Sequence, residues 1–213
     1  MNMKIFTCNP IEENTIVLYD DTGEAAVIDC GCLFEEERQE LREFLTERHL
    51  TPVVLLNTHL HIDHIFGNGF MLDQYGLSAK AHRADEFWVT DAVTYAARLG
   101  IRGIEPPPPL GGYLDEGDVV RFGHSELLPI HVPGHSAGSL CYYSEKDKLL
   151  ISGDVLFAGC IGRSDLPGGN MQQLVTGIRE KLFVLPGDVR VIPGHGDATT
   201  IDRERRVNPY VRP

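Results

Sequence analysis

Residues 53–64 read VVLLNTHLHIDH, an apolar run followed at once by a histidine-rich segment. Four side chains that can bind a metal ion, His59, His61, Asp63 and His64, fall within six positions. Neutral imidazole and carboxylate are donors that suit zinc, iron or manganese. The outward face of an ordinary strand would explain the first three, but His64 breaks the period-two alternation. The segment therefore predicts part of a metal site at the end of a buried strand.

Size and composition limit the kind of protein this is. A chain of 213 residues with 42% hydrophobic content predicts one domain spanning residues 1–213. The formal net charge of −12 opposes binding to nucleic acid or to anionic lipid. Residues 1–10 lack a leader pattern, and no apolar segment approaches the roughly 20 residues that cross a bilayer. We therefore expect a soluble protein that acts on a small molecule.

Cysteine usage indicates the compartment. The five cysteines are odd in number and scattered, and no two have the Cys-x-x-Cys spacing. This pattern fits neither a disulfide framework nor a structural zinc knuckle. A reducing cytoplasm is the predicted location.

The apolar pattern predicts two similar halves, each with strands and helices. Strands are predicted at 4–8, 15–19, 25–29, 53–56, 119–122, 126–132, 139–143, 149–152 and 189–192, the first three as an antiparallel meander. Helices are predicted at 35–48, 65–75, 84–99 and 171–184, with an extended loop at 101–112. The order predicts an α/β fold of two packed sheets with helices on their outer faces. Four late arginines, Arg203, Arg205, Arg206 and Arg212, are interpreted as the solvated face of a terminal helix, with an anion or subunit contact as the alternative.

Three later loops offer the missing metal ligands. In each, a β run reaches a glycine and then a potential ligand: His135 after Gly134, Asp154 after Gly153, and His195 after Gly194. Glycine lets the backbone turn sharply and approach a metal closely. Each loop alone is an ordinary tight turn, but together they supply a histidine, an aspartate and a second histidine.

These motifs resemble those of the metallo-β-lactamase-fold hydrolase superfamily across nearly the whole chain. The resemblance rests on Asp29, the 59–64 block, His135, Asp154 and His195. It implies an αβ/βα four-layer sandwich with a two-metal site at one edge of the paired sheets. It also implies the ligand sets: His59, His61 and His135 for the first metal, Asp63, His64 and His195 for the second, Asp154 bridging both, and Asp29 in support.

The chemistry of such a site follows from its ligands. We expect two divalent cations, with zinc as the first choice and iron or manganese as alternatives. A carboxylate such as that of Asp154 can span two cations roughly 3.5 to 4 Å apart, and the pair makes hydroxide from a shared water near neutral pH. Asp63, as ligand and proton acceptor, is the predicted catalytic residue that steers this hydroxide.

Residues 153–157 and 161–169 narrow the resemblance to the glyoxalase II group, the hydroxyacylglutathione hydrolases, and within it to short bacterial members. The implied activity is hydrolysis of S-acylglutathione or a related small thioester. A thiolate with a pKa near 8.5 can leave without a general acid. Longer members bind glutathione through a C-terminal helical domain. The sequence does not predict that domain here. Arg163 is the predicted substrate-binding residue, either through a substrate carboxylate or only as a buttress through Asp165.

Other functions share this pattern. Persulfide dioxygenases have a similar turn, and that resemblance implies a single iron on His59, His135 and Asp154. Gly196, the second glycine of Pro193-Gly194-His195-Gly196, favours the hydrolase. A non-catalytic metal-binding scaffold is disfavoured because seven ligands should bind metal and activate water. A β-lactamase is disfavoured because no export signal is seen.

Overall fold

Two six-stranded sheets form the centre of the computed structural model, which describes residues 1–211. The first sheet contains, in order, β1 (Asn2–Cys8), β2 (Glu13–Tyr19), β3 (Glu24–Ile28), β4 (Thr51–Leu56), β5 (Lys80–Ala81) and β6 (Gly112–Tyr113). The second contains, from one edge to the other, β14 (Thr199–Thr200), β13 (Arg190–Pro193), β10 (Leu149–Gly153), β9 (Leu140–Ser144), β8 (Ser125–His131) and β7 (Val120–Phe122). A separate ribbon pairs β11 (Leu156–Phe157) with β12 (Cys160–Ile161).

Helices connect the strands. They are α1 (Glu35–Glu47), α2 (Asn68–Tyr75), α3 (Phe87–Arg98), α4 (Met171–Gly177), which runs into a π-helical turn at Ile178–Leu182, and α5 (Ile201–Val207). Short 3₁₀ turns lie at Ile62–His64 and Arg83–Asp85. Among residues 1–211, no helix combines the length and the apolar character that a membrane crossing needs.

Apolar residues on both faces of each sheet build the layers. One buried cluster lies between the sheets and joins Ile16 and Ile28 of the first sheet to Leu140 and Ile151 of the second. A second covers the outer face of the first sheet and includes Val17, Val27, Leu41, Leu45 and Met71. A third covers the outer face of the second sheet and includes Tyr143, Leu150, Leu174, Ile178 and Ile201. The predicted αβ/βα four-layer sandwich is thereby confirmed.

Parallel strand pairs bring distant loops to one edge. β3 runs parallel to β4, and β10 runs parallel to β13, so the carboxyl ends of each pair meet. The two sheets also touch there, because Asn14 donates its backbone N–H to the Gly194 carbonyl at 2.7 Å. The Asn14 side chain adds a 3.0 Å bond to the Pro193 carbonyl. The loops after all four strands therefore face the same space.

Several element boundaries differ from the prediction. The second helix begins at Asn68 and not at 65. Gly67, which precedes it, lies so close to the residues after β3 that a Cβ there would be 2.4 Å from the Cys30 Sγ. The helix predicted at 171–184 is α4 followed by the π-helical turn, and the one at 84–99 is a 3₁₀ turn followed by α3. β5, β6, β11, β12 and β14 were missed because two residues leave no alternation to read.

Three of the four late arginines lie within the described residues, and each of them bonds to another residue of the chain. Arg205 donates to the Leu185 carbonyl at 3.0 Å, and Arg206 pairs with Asp202 at 3.0 Å on α5. Arg203 contacts Glu204 at 3.3 Å. These contacts fit the face of a terminal helix. Arg212 lies outside the described residues.

Candidate metal centre

The histidine-rich segment leaves β4 and turns sharply. Leu60 and Ile62 are buried against α3 in a cluster with Trp88 and Ala92. The 3₁₀ turn at Ile62–His64 then rotates the chain, so that Asp63 and His64 no longer follow the alternation of a strand. The apolar residues of the motif therefore anchor the segment, and its polar residues are left to face the edge of the sheets.

His59, His61 and His135 form the first cluster of potential ligands. One ring nitrogen from each lies within 4.8 Å of the others, and the Nε2 atoms of His59 and His135 are 3.2 Å apart. Burial lowers the pKa of His59 well below its usual range and that of His61 to about 3, so both rings are neutral and keep a lone pair. His135 donates from Nδ1 to the Arg163 carbonyl at 2.8 Å, which directs Nε2 into the cluster.

Asp63, His64 and His195 form the second cluster. The Asp63 Oδ2 atom is 3.2 Å from the His195 Nε2 and 3.6 Å from the His64 Nε2. The His195 Nδ1 lies 3.0 Å from the Ile11 carbonyl, to which it donates. This cluster is the more accessible of the two, because the His195 side chain is 22% exposed.

Asp154 lies between the two clusters. Its Oδ1 is 3.5 Å from the His64 Nε2, while its Oδ2 is 3.6 Å from the His135 Nε2 and 3.7 Å from the His195 Nε2. Burial alone would raise the pKa of Asp154, but His64, His135 and His195 together hold it well below its usual range. The carboxylate is therefore ionised and within reach of both sets of imidazoles.

Three buried ligand atoms indicate that this donor set fits metal ions. The His61 Nε2, His64 Nε2 and Asp154 Oδ1 atoms have no hydrogen-bond partner among residues 1–211. A buried polar atom without a partner costs about 1–3 kcal/mol. Because all three belong to residues of these His and Asp clusters, divalent cations coordinated there would satisfy them together.

Two glycines allow the loops to approach each other. A Cβ on Gly194 would lie 2.3 Å from the Asp154 Oδ1 and 2.7 Å from the His64 Cε1, so any side chain there would displace potential ligands. Gly153 has a φ of +49°, and a Cβ on it would be 2.4 Å from the Thr58 Oγ1. Both positions fit the expectation that glycine precedes a ligand because the backbone must come close.

Asp29 supports the centre from behind. Its Oδ1 accepts the Thr58 backbone N–H at 2.7 Å, and its Oδ2 accepts the Thr58 hydroxyl at 2.6 Å. The same Oδ2 is 3.0 Å from the His64 Nδ1, which donates to it. Asp29 therefore fixes the orientation of the His64 ring by binding its Nδ1, while the Nε2 is the atom near Asp63 and Asp154.

Replacing Asp29 with asparagine is expected to weaken metal binding by about 10- to 100-fold, because the amide cannot accept the His64 N–H in the same way as a carboxylate. Competition with a chromophoric chelator measures the affinity. Asp188→Asn, at an exposed carboxylate paired with Lys148, is the matched control. Equal affinities for the two variants would contradict the assigned role.

The backbone of Arg163 contacts the centre, and its side chain pairs with Asp165. Its carbonyl accepts from His135, as described above, while its guanidinium makes two 2.8 Å bonds to the Asp165 carboxylate. Both side chains of the pair are more than half exposed. Of the two roles left open by the sequence, the side-chain geometry favours the buttress, since the cation is already neutralised.

Sequence reasoning missed the buried acidic residues Glu13 and Asp85 beside the centre. Glu13 is fully buried, accepts the Thr15 hydroxyl at 2.8 Å and lies 4.0 Å from the His64 Nδ1; burial raises its pKa well above its usual range. Asp85 accepts the Ser136 hydroxyl at 2.6 Å and the Gly138 N–H at 2.7 Å, which fixes the loop that carries His135. No local pattern distinguishes these carboxylates from surface ones, because their burial depends on strands far away in the sequence.

Two of the histidines outside the centre, His82 and His131, form a stacked pair. The rings of His82 and His131 stack at 4.1 Å, and the His82 Nε2 is 3.7 Å from the Asp115 Oδ1. His131 donates to the Ala137 carbonyl at 3.0 Å. This pair is separate from the seven side chains above and was not among the predicted ligands.

Comparison with known proteins identifies the family. The sequence model of the metallo-beta-lactamase superfamily matches residues 10–195, which span β2 to the end of β13 and include all seven potential ligands. The chain belongs to the metallo-beta-lactamase superfamily. Divalent metal binding at the His and Asp clusters is what this fold implies.

Relatives within the superfamily match over nearly their full length. The chain is 35% identical over 212 residues to the Probable metallo-hydrolase YqgX of Bacillus subtilis, covering 99% of this chain and 98% of that protein. It is 32% identical over 212 residues to the hydroxyacylglutathione hydrolase GloC of Haemophilus influenzae, with the same coverage. These relatives support a metal-dependent hydrolase.

Solved structures of the superfamily share the fold. BLEG-1, described as a B3 metallo-beta-lactamase, superposes with a TM-score of 0.90 at 35% identity, covering 99% of both chains. TTHA1623 in a di-iron-bound form gives 0.86 at 33% identity, covering 97% of this chain and 99% of that one. ETHE1 from Myxococcus xanthus gives 0.77 at 25% identity, covering 98% and 84%.

Proposed function

We propose that this member of the metallo-beta-lactamase superfamily is a binuclear metal-dependent hydrolase of glyoxalase II type, which cleaves S-acylglutathione or a related small thioester in the cytoplasm. The observation that carries the proposal is the position of Asp154 within 3.7 Å of imidazoles from both ligand clusters. Likeness to the hydroxyacylglutathione hydrolase of H. influenzae supports the substrate class. The five cysteines, all free thiols, support the compartment.

The ligand sets divide between two cations. His59, His61 and His135 would hold the first, Asp63, His64 and His195 the second, and Asp154 would be shared by both. Zinc is the first choice for such borderline donors, and the di-iron form of TTHA1623 supports iron as an alternative. When bound, the pair lowers the pKa of a water molecule to near neutral and polarises the carbonyl of the substrate.

The protein's own residues prepare the site for this reaction. Burial keeps His59 and His61 neutral, so their lone pairs are available as ligands. Asp63, whose pKa is lowered from its usual value although burial opposes this, stays ionised beside His195 and would accept a proton from the attacking water. No general acid is needed, because a thiolate leaves unprotonated.

A mononuclear iron dioxygenase acting on persulfides is the second candidate. His59, His135 and Asp154 would be its ligands, and the likeness to ETHE1 is compatible with it. The second cluster favours the hydrolase, because His195 and Asp63 lie 3.2 Å apart and would have no assigned role around a single iron. A non-catalytic scaffold is disfavoured because seven ligands that bind metal should also activate water.

One preparation tests all of these functions. The metal content per chain is measured by mass spectrometry, and the same sample is assayed for thioester cleavage, for oxygen uptake with glutathione persulfide, and for opening of a chromogenic β-lactam. Two metals per chain with thioester cleavage is the expected result. One iron with oxygen uptake, or β-lactam opening with no thioester cleavage, overturns the proposal.

A further inference from the structure

Asp85 is a fully buried carboxylate that contacts both segments of the first cluster. Its Oδ2 accepts the Ser136 hydroxyl at 2.6 Å, and its Oδ1 accepts the Gly138 backbone N–H at 2.7 Å. Burial raises the pKa of the Asp85 carboxyl above its usual value, while these two donors and the Leu60 backbone N–H, which also bonds to it, act in the opposite direction. The carboxylate therefore joins two parts of the chain that are distant in sequence.

The partners of this carboxylate each lie beside a predicted ligand of the first cluster. Leu60 stands between His59 and His61, and Ser136 directly follows His135. The glycine that bonds to it lies in the same loop as His135. Because these contacts are made by backbone N–H groups and a short hydroxyl, they fix the chain that carries the imidazoles. One side chain thereby sets the spacing between the two segments that supply the first cluster.

The turn that carries Asp85 packs tightly against the loop of His135. A Cβ on Gly138 would lie 2.7 Å from the Asp85 Cγ and 3.0 Å from the Asp85 backbone nitrogen, so any larger residue would displace the carboxylate. On its other side, the turn begins at His82, whose Nδ1 accepts the Ala84 N–H at 3.2 Å. The position of the carboxylate is therefore fixed both by its own turn and by the loop that it holds.

The second cluster has separate supports. Asn9 donates to the Asp63 backbone carbonyl at 3.0 Å, and the Ile11 carbonyl accepts from His195 at 3.0 Å. Asp29 orients a third ligand, as described above. These supports come from the loops after β1 and β3, and not from the turn that carries the buried carboxylate. The two clusters can therefore be perturbed one at a time.

We propose that Asp85 is a positioning residue for the first metal site, where its hydrogen bonds set the distance between the His59–His61 segment and the His135 loop. It thereby determines the metal affinity of that site and leaves the second site unaffected. This inference rests on the ligand sets given under the proposed function. It goes beyond them because Asp85 is not itself a ligand in either set and acts through the backbone that carries the ligands.

Zinc binding to metal-free full chains tests the proposal, with affinity measured by competition with a chromophoric chelator. Asp63→Asn removes a ligand of the second site and leaves the first, whereas His61→Ala does the reverse. In the Asp63→Asn chain, Asp85→Asn is expected to weaken zinc binding by about 10- to 100-fold, because an amide has one acceptor oxygen where the carboxylate has two. In the His61→Ala chain, the same substitution is expected to change the affinity by less than about twofold, as for independent sites.

Asp20→Asn is the matched control. Asp20 also accepts two backbone N–H groups, from Thr22 at 3.0 Å and from His124 at 2.7 Å, together with the Ser125 hydroxyl at 2.8 Å. It follows β2, at the opposite end of that strand from the metal centre. This control is expected to leave the zinc affinity unchanged in both chains, which separates positioning of the ligands from a general loss of carboxylate hydrogen bonds.

Gly138→Ala displaces the same carboxylate from the opposite side, and it decides the outcome if Asp85→Asn does not fold. It should weaken zinc binding in the Asp63→Asn chain alone. Equal weakening in both chains, or none in the Asp63→Asn chain, overturns the proposal.

The zinc measurement is independent of the proposed hydrolysis. Selective weakening in a protein that cleaves no thioester supports the positioning role and overturns the function. Thioester cleavage by a protein in which the weakening is not selective leaves the function standing and overturns the positioning role.

Discussion

Replacement of Asp154 with asparagine is expected to lower kcat/KM for thioester cleavage by about a thousandfold or more, because the loss of one cation removes several kcal/mol of transition-state stabilisation. An amide has the same shape as the carboxylate but cannot place a negative oxygen toward both clusters. The metal content is expected to fall from two ions per chain to one or fewer. Steady-state kinetics and mass spectrometry on the same sample measure both effects.

The control for Asp154 must separate loss of metal from loss of fold. Asp165→Asn also removes a carboxylate close to the centre, but it lies on the surface and contacts only Arg163 among the predicted site residues. We expect that variant to keep both metals. An Asp154→Asn protein with native circular dichroism, two metals and full activity would show that this carboxylate does not connect the clusters.

Removal of the metal ions with a chelator is expected to abolish activity and to lower the thermal midpoint by on the order of 10 °C. Without cations, the His61 Nε2, His64 Nε2 and Asp154 Oδ1 atoms are buried with no partner in residues 1–211. The clusters also join loops from both sheets, so their loss weakens the edge where the sheets meet. Scanning calorimetry before and after chelation gives the shift.

Restoring the metal provides the control for this experiment. Stoichiometric zinc should recover both the midpoint and the activity of the wild-type chain. In the Asp154→Asn variant, the chelator should lower the thermal midpoint by clearly less than in the wild type, since less metal is bound at the outset. A midpoint that does not respond to chelation in the wild type would mean that the seven side chains are stable as a metal-free polar network.

The fold was largely predictable because its strands are long enough to show a pattern. Ile16, Val17 and Leu18 of β2 are buried on both faces, so this strand reads as an apolar run between turn signals. β5 and β6 have two residues each and complete the first sheet only because neighbouring strands pair with them. Their existence depends on tertiary contacts that no local pattern records.

The candidate site was predictable where ligands are close in sequence or follow a glycine. His59, His61, Asp63 and His64 are one motif, and Gly134, Gly153 and Gly194 mark the other three positions. The structure brings all seven side chains together, while their role as ligands stays a prediction. Glu13 could not be predicted, because its full burial depends on packing beside Asp29 and His64. The partners of Asp85 could not be predicted either, since they lie in two segments that are distant from it in sequence.

The division of each cluster between distant segments has a consequence for biosynthesis. The first cluster needs His135, and the second needs His195, so a chain still on the ribosome holds neither complete set until most of its length has been made. Under the proposed ligand assignment, metal is therefore expected to bind only a nearly finished chain. Because imidazole and carboxylate accept zinc, iron and manganese, we expect the metal in the mature protein to depend on the ions available in the cell at that moment.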